Sequence, residues 1–593
     1  MSTAYVPSQP QPSGAPPPGP PVLPHASEAT RLLCAGVYLD SAYRDRVIEE
    51  LHLNEQRIAA PSLGFDAARV LAHALRARRQ EIAWALAILG LWVVGGGLTG
   101  GVLFLFLGPS LLLAAASWIR GRSTRPPLYR LVPAFVLRWY GRILFAALLA
   151  AVVTAAFGAA EEDSSDPYGY GSSDGLGLYS DDPTDGGLFG WLPELVRELA
   201  SAIEVWEAWS ALAVLALIAL CEAGRRGQFA RVMAAELSPQ RFPDAANDPA
   251  EQAEGQRFQR LRDRIRTEQH APLVMYHPAR PFCGAGAAYE TWVLAVELRP
   301  DPAKKQQPLS NRAVLEKVRP LLERLRVPAE TAEYAGHVVR DRLRWLEIDE
   351  CVFLPAEGLL RREDAPYPAF SEHRERSVEE GAEKRRHFLR VRVGGWEEEL
   401  VTTVFVRVHT QGRMLMLEIA PHVLLPVRAD FKDADRAAHR FRHNNALGKA
   451  AWALARVPRS AASALAVLGR AVAYGWRLLT GGFAGALPEG PALSVRELGS
   501  AEAGSTFQEM DVVRYLRSVQ DRVAHGVRTA LDESGYQTGE FVQKIVNISN
   551  GGVNVENIGD VSHSTFAVGS HASASSVSGG DAPQKGSAGD VQR

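Results

Sequence analysis

The chain has 593 residues, 65 basic against 67 acidic side chains, a net charge of -2 and 47% apolar content. That much apolar surface excludes wholesale disorder. The charge balance leaves no global basic field, so nucleic acid is not expected as a partner. Four cysteines (Cys34, Cys221, Cys283, Cys351) stand far apart without a CxxC pair, which argues against a zinc ribbon or a disulfide-built fold.

Residues 1–25 are Pro-rich, with no basic residue and no apolar core ahead of His25, so they read as a solvated tail rather than a secretory signal. Residues 26–80 read as amphipathic helices: Ser41 is placed to cap SAYRDRVIEELHL, and FDAARVLAHALRARRQ leads into the next segment. From Ile82 to Ile119 there are 38 residues without a charge. That is nearly twice the roughly 20 residues one bilayer crossing needs. GGGLTGG in the middle permits a reversal, so residues 81–119 are expected to form a hairpin of two spans. A third span is expected at 143–160. A fourth lies in 191–222, where an amphipathic stretch extends the apolar run Ala208–Cys221.

Charge sets the expected orientation. The 120–142 loop carries Arg120, Arg122, Arg125, Arg130, Arg138 and Arg142 without an acid, while residues 161–194 hold nine acids and no Lys or Arg. By the positive-inside rule both termini and the basic loop face the cytoplasm, and the acidic, low-complexity 161–190 loop lies outside. No ionisable residue falls within the hairpin or the third span, and Glu207 stands only at the edge of the fourth. That pattern suits an anchor better than a conduction pathway.

Residues 223–430 read as a cytoplasmic α+β domain. It has a charged helix, a short strand LVMY, the strand TWVLAVEL, and a helix NRAVLEKVRPLLERLRV capped by Asn311 or Ser310 with a kink at Pro320. HFLRVRV, ELVTTVFVRVH and RMLMLEIAPHVLLP follow as an antiparallel β-meander, with a hairpin at Gln411-Gly412 and one buried and one wet face. In this stretch RPFCGAGAAYETWVLAVEL (Arg280 to Leu298) and GGWEEELVTTVFVRV, together with the four upstream spans, resemble a family of uncharacterised multi-pass membrane proteins of actinobacteria, chiefly streptomycetes. The resemblance covers roughly residues 26–550. It implies a membrane location and carries no activity.

Residues 446–486 place Lys449, Arg456, Arg459, Arg470 and Arg477 within about 80° on a helical wheel, opposite Leu465, Val467, Leu468, Val472 and Leu479, with Trp476 toward the basic edge. Two readings follow: a helix lying on an anionic leaflet, interrupted at Pro458, or one packed on the soluble domain. Residues 495–536 hold a long helix with a Thr506/Glu509 capping pattern. Residues 540–593 begin with β-branched residues alternating with Asn, Ser and Gly. That pattern suits β-rungs and self-association through 540–570, ahead of a disordered end.

No P-loop occurs. Gly171 to Gly175 (GSSDG) matches a nucleophile-elbow pattern only formally, since it lies in the acidic loop. His439 and His443, four apart, lack a third metal ligand. No catalytic residue, metal site or cofactor is expected. The expected architecture is a multi-pass α-helical membrane protein of about four transmembrane helices, with a cytoplasmic α+β domain and disordered termini. Its expected role is scaffolding, sensing or interaction in the cell membrane, with anionic lipids and other proteins as partners. The alternative is an effector triggered by assembly of its tail; a membrane-anchored enzyme of unknown chemistry ranks third.

Overall fold

The computed structural model describes residues 23–61, 64–121, 126–162, 192–252, 255–326, 343, 345–380, 383–395, 399–480 and 486–549. The helices that carry the architecture are α1 (Ala67–Leu98), α2 (Val102–Arg120), α3 (Leu128–Gly158) and α4 (Val205–Ala235). They continue as α5 (Asn311–Glu323), α6 (Ala446–Leu454), α7 (Val457–Leu479), α8 (Thr506–Glu533) and α9 (Gly539–Ser549). The main strands are β1 (Trp292–Glu297), β2 (Trp345–Pro355), β3 (Arg386–Gly395), β4 (Leu400–Gln411) and β5 (Met414–Leu424). The chain divides into two compact units, which do not follow chain order. One combines Met1–Gly286, Pro355–Ala365 and Leu425–Gly504; the other combines Ala287–Leu354, Pro366–Leu424 and Ser505–Arg593.

In the first unit, α1 to α4 are each long and apolar enough to cross a membrane, and they are the four such helices among the described residues. The α1–α2 reversal falls on the glycine run: Gly100 and Gly101 take φ of 57° and 97°, a left-handed conformation that glycine adopts without strain. Asp66 caps α1 by accepting from the Ala68 and Arg69 amides. The amphipathic stretch before the fourth span is a separate helix, Leu192–Ser201, because Glu204 and Glu207 form a capping box that starts α4 anew. Exposed aromatic side chains lie toward both ends of the bundle, Trp118 and Tyr129 at one and Phe157, Trp206 and Trp209 at the other. That is the placement aromatic side chains take at membrane interfaces.

α1 has 32 residues, about 48 Å at 1.5 Å per residue. Its second half packs in the bundle core with Leu103, Phe106, Val152 and Ile218. Its first half packs with the helices Glu28–Leu39, Ser41–Ile48 and Gln256–His270 around Leu33, Leu71, Phe242 and Phe431. The second helix of that group is capped by Asp40, one residue ahead of the expected Ser41, since the Asp40 carboxylate accepts from Ala42 and Tyr43. Leu273–Tyr276 is extended, as read from LVMY.

The described part of the 446–486 segment carries two helices, α6 and α7. The break falls at Ala455 and Arg456, and Pro458 sits in the first turn of α7, where its missing N–H removes no hydrogen bond. α7 buries Val457, Ala461, Ala464 and Val467 in the bundle core. Trp92 donates to Ser460 at one end, while Arg470 pairs with Glu81 nearer the other, so α7 runs antiparallel to α1.

In the second unit, β3, β4 and β5 form the expected antiparallel meander. The hairpin turns on Gly412 and Arg413, both at positive φ (56° and 67°), one residue beyond the expected step. Sequence reading passed over β2, which pairs with β3, and β1 pairs with β5. The wet face expected for the meander is a correction: Arg390, Arg392, Thr403 and Arg407 are all buried. The three arginines alternate as charged strand residues should, but pair across strands, Arg390 and Arg392 with Asp349 and Arg407 with Glu418. The other face carries α5 and α8, which cross closely at Gly526. Ser310 caps α5. Ser505 and Gln508 form the capping box of α8, displaced by one from the expected Thr506 and Glu509.

The β-prone reading of the tail is corrected in part. Residues 539–549 are helical, because Phe541 and Ile545 recur at helical spacing and Phe541 is fully buried. Lys544 Nζ donates to the Ala295 carbonyl at 3.0 Å. The remaining expected rungs, the acidic loop at 163–191, and Arg122 and Arg125 lie outside the described residues.

Candidate functional site

At the charged end of the apolar bundle, α1, α4, α6 and the helices Glu28–Leu39 and Ser41–Ile48 line an open-mouthed cavity of about 240 Å³. α4 supplies Glu222, Arg225 and Arg226 to it, one turn past its uncharged run. The α6–α7 junction supplies Trp452 and Arg456, α1 supplies Glu81 and Trp84, and Tyr38 and Arg44 complete the wall.

Most side chains here have partners. Arg44 pairs with Glu81, and Arg225 lies 3.7 Å from the buried Glu222 carboxylate. Trp84 Nε1 donates to Gln228 at 2.6 Å. Two arginines differ. Among the described residues, Arg226 and Arg456 meet no carboxylate within ion-pair reach; both lie over the Trp452 ring, Arg456 at 4.0 Å and Arg226 at 6.0 Å. Partial desolvation beside Trp452 holds the exposed Arg456 guanidinium below the ordinary arginine value, with the Arg225 charge acting the same way against Glu222. One helical turn on, Arg459 is lowered by burial and by the charges of Arg138 and Arg142. Arginine stays protonated throughout this range, so these are like charges held together.

Tyr38 connects the cavity to a buried polar group. Its hydroxyl shares a 3.2 Å hydrogen bond with His73 Nδ1, and His73 Nε2 lies 3.1 Å from Asp248. Asp248 also accepts from Arg69 Nε at 2.8 Å. Burial alone would raise the Asp248 carboxyl, but the His73 hydrogen bond and the charges of His73 and Arg69 outweigh it and hold it well below the usual carboxylate range.

A model of the AbeC-like domain family matches residues 291–562. The match begins just before β1 and includes α6 and α7, so Arg456 and Arg459 lie inside it while Arg225 and Arg226 precede it. No curated protein and no solved structure matches the chain.

The structure separates the residues expected to touch a membrane surface. Arg470 pairs with Asp45 at 3.3 Å, and Arg477 with Glu49 at 2.8 Å. Lys449 donates to the Arg442 carbonyl above the Phe441 ring. Trp476 is 68% exposed. Of the basic-loop residues, Arg120 ends α2 and Arg130 lies over Tyr129. Arg138 and Arg142 add their charge to that of Arg459, so basic residues far apart in sequence act on one another.

Arg225 and Arg226 were legible as flanking charge, but Glu222, Trp452, Tyr38, His73 and Asp248 were not singled out. A lone acid at the end of an apolar run was the available signal for Glu222; the others come from distant segments.

A second cleft of about 780 Å³ in the same unit is lined by arginines mostly in ion pairs, Arg257 with Glu55, Arg264 with Glu363 and Arg477 with Glu49. Among the described residues no three His, Cys, Asp or Glu side chains group as metal ligands. His439 and His443 stack at 4.0 Å, and the His443 ring bonds the His439 carbonyl. Burial pushes the Cys283 and Cys351 thiols up to about 12, far from thiolate reactivity.

Proposed function

We propose that this protein is an integral membrane scaffold or sensor of the cell membrane, of the actinobacterial type its sequence resembles, with both termini in the cytoplasm. One observation carries the reading. α1 and α4 run without interruption from an apolar bundle with exposed aromatic rings toward both ends into a second apolar core, around Leu33, Leu71, Phe242 and Phe431, beside which the polar Arg69, His73 and Asp248 are buried. Bundle and core are therefore one packed body, and the cavity with Arg226 and Arg456, which meet no carboxylate among the described residues, lies where they join. Continuous helices transmit a displacement that a flexible linker would absorb. The anionic-leaflet partner expected from the sequence is assigned to this junction.

The test is carbonate extraction of native membranes, followed by chemical crosslinking and affinity capture through a tag near the N-terminus. The reading expects the protein in the carbonate-resistant pellet, with reproducible protein crosslinks to residues 223–540. Recovery of the protein alone, in large assemblies that vanish when residues 550–593 are removed, would overturn it in favour of a self-assembling effector.

A further inference from the structure

We propose that Arg225, Arg226 and Arg456 form a binding site for a phosphate-bearing anion, with Trp452 as its wall. The location at headgroup depth rests on the membrane reading above; the charge argument does not.

The cavity holds four arginines (Arg44, Arg225, Arg226, Arg456) and two glutamates (Glu81, Glu222). Arg44 is matched by Glu81, and Arg225 is loosely matched by Glu222 at 3.7 Å. Two positive charges are left over. A solvated surface arginine needs no partner, but Arg226 is half-buried and is fixed over two aromatic faces, Phe229 at 4.6 Å and Trp452 at 6.0 Å. Arg456 is the more exposed of the two, but its guanidinium is held against the Trp452 face at 4.0 Å. Stacking leaves the guanidinium edge, with its N–H donors, free to point away from the ring.

Like charges gathered this way repel, and an anion between them reverses the sign of that term. A phosphate suits the arrangement better than a carboxylate. It carries one to two negative charges on several oxygens, and its geometry accepts paired N–H donors from more than one guanidinium. The site lies one turn beyond Cys221, where the uncharged run of α4 ends. A phospholipid headgroup would sit at that level; a free phosphate from solution would reach the same cavity. Arg459, with Arg138 and Arg142 nearby, extends the positive surface along the bundle end.

The experiment uses the full chain purified in a zwitterionic detergent. Native mass spectrometry and thermal shift are measured with dioctanoyl phosphatidylglycerol, with dioctanoylglycerol, which lacks phosphate, and with inorganic phosphate against chloride at equal ionic strength. The wild-type protein is expected to bind phosphatidylglycerol or phosphate, and dioctanoylglycerol at least tenfold more weakly. R226Q/R456Q is expected to weaken binding at least tenfold, about 1.4 kcal/mol. R477Q, whose arginine is paired with Glu49 elsewhere, should leave it unchanged.

Binding of phosphatidylglycerol alone identifies a lipid headgroup; binding of inorganic phosphate identifies a soluble source. Either supports the site. R456Q alone alters an exposed position and serves if the double variant fails to fold. The proposal is overturned if neither probe binds, or if R226Q/R456Q and R456Q bind like wild type. Phosphate binding by a protein that carbonate extracts from membranes would sink the membrane reading and leave the site standing.

Discussion

Trp92 Nε1 donates a 3.2 Å hydrogen bond to Ser460 Oγ across 368 positions of sequence, inside the core of the apolar bundle. Ser460 also donates to the Val457 carbonyl at 2.8 Å, so the start of α7 is fixed both to its own first turn and to α1. The contact makes a segment that follows the β-meander part of the bundle.

That contact should register as coupling. Ser460→Ala leaves the Trp92 N–H buried without an acceptor, at a cost of about 1–3 kcal/mol. Trp92→Phe removes the donor as well, and the double variant should be less destabilised than the sum of the two. Unfolding in mixed micelles gives the double-mutant cycle. A coupling energy near zero would mean the helices meet without this bond mattering.

Asp248 should control the acid limb of stability. Its carboxyl is held below the ordinary value of about 3.9, so the unfolded chain takes up the proton first. The contribution is fully present above that ordinary value and is lost as pH falls toward the lower folded one. Thermal unfolding at pH 7, 5, 4 and 3 should show this loss in the wild-type protein and a shallower dependence in Asp248→Asn. Equal slopes would remove Asp248 from the account.

At neutral pH, Asp248→Asn should cost about 3–5 kcal/mol, because Arg69 is left buried without its counter-charge. Arg69→Met combined with Asp248→Leu should recover most of that loss, since no uncompensated charge remains. A double variant no more stable than Asp248→Asn would show that the pair matters for more than charge balance.

The crossing of α5 and α8 depends on Gly526. A Cβ there would lie 2.8 Å from both the Val318 Cα and its Cγ2, too close for the backbones to keep their approach. Gly526→Val should destabilise by about 1–3 kcal/mol through overpacking. Gly535→Ser should also be costly, since its φ of 78° disfavours any side chain. Melting temperatures of the two variants, against Gly539→Ala in open space, decide it.

Orientation is open to labelling. With the native cysteines replaced, Gly97→Cys near the α1–α2 turn should react with an impermeant maleimide in intact cells. Arg436→Cys, 80% exposed among the polar helices, should react only after permeabilisation. The reverse pattern would invert the proposed topology.

Elements with a local signal are legible in the residues alone. An uncharged run of 38 residues broken by glycines specifies two apolar helices and their reversal, because helix length and backbone freedom depend on neighbours in the chain. Alternation likewise specified the strands around Val391 and Val404. It did not reveal that Arg390 and Arg407 are buried, because that follows from the pairing of β2 with β3 and of β4 with β5. The 446–486 segment shows the limit most clearly. Its wheel displayed a basic stripe and an apolar face, which suit a membrane surface or a protein surface equally. The fold decided the matter residue by residue: Arg470 and Arg477 went to acids from the N-terminal helices and α1, Ser460 went to Trp92, and Arg456 stayed beside Arg226 without a carboxylate among the described residues. A charge pattern states what a side chain offers, and only packing decides which charges find a partner.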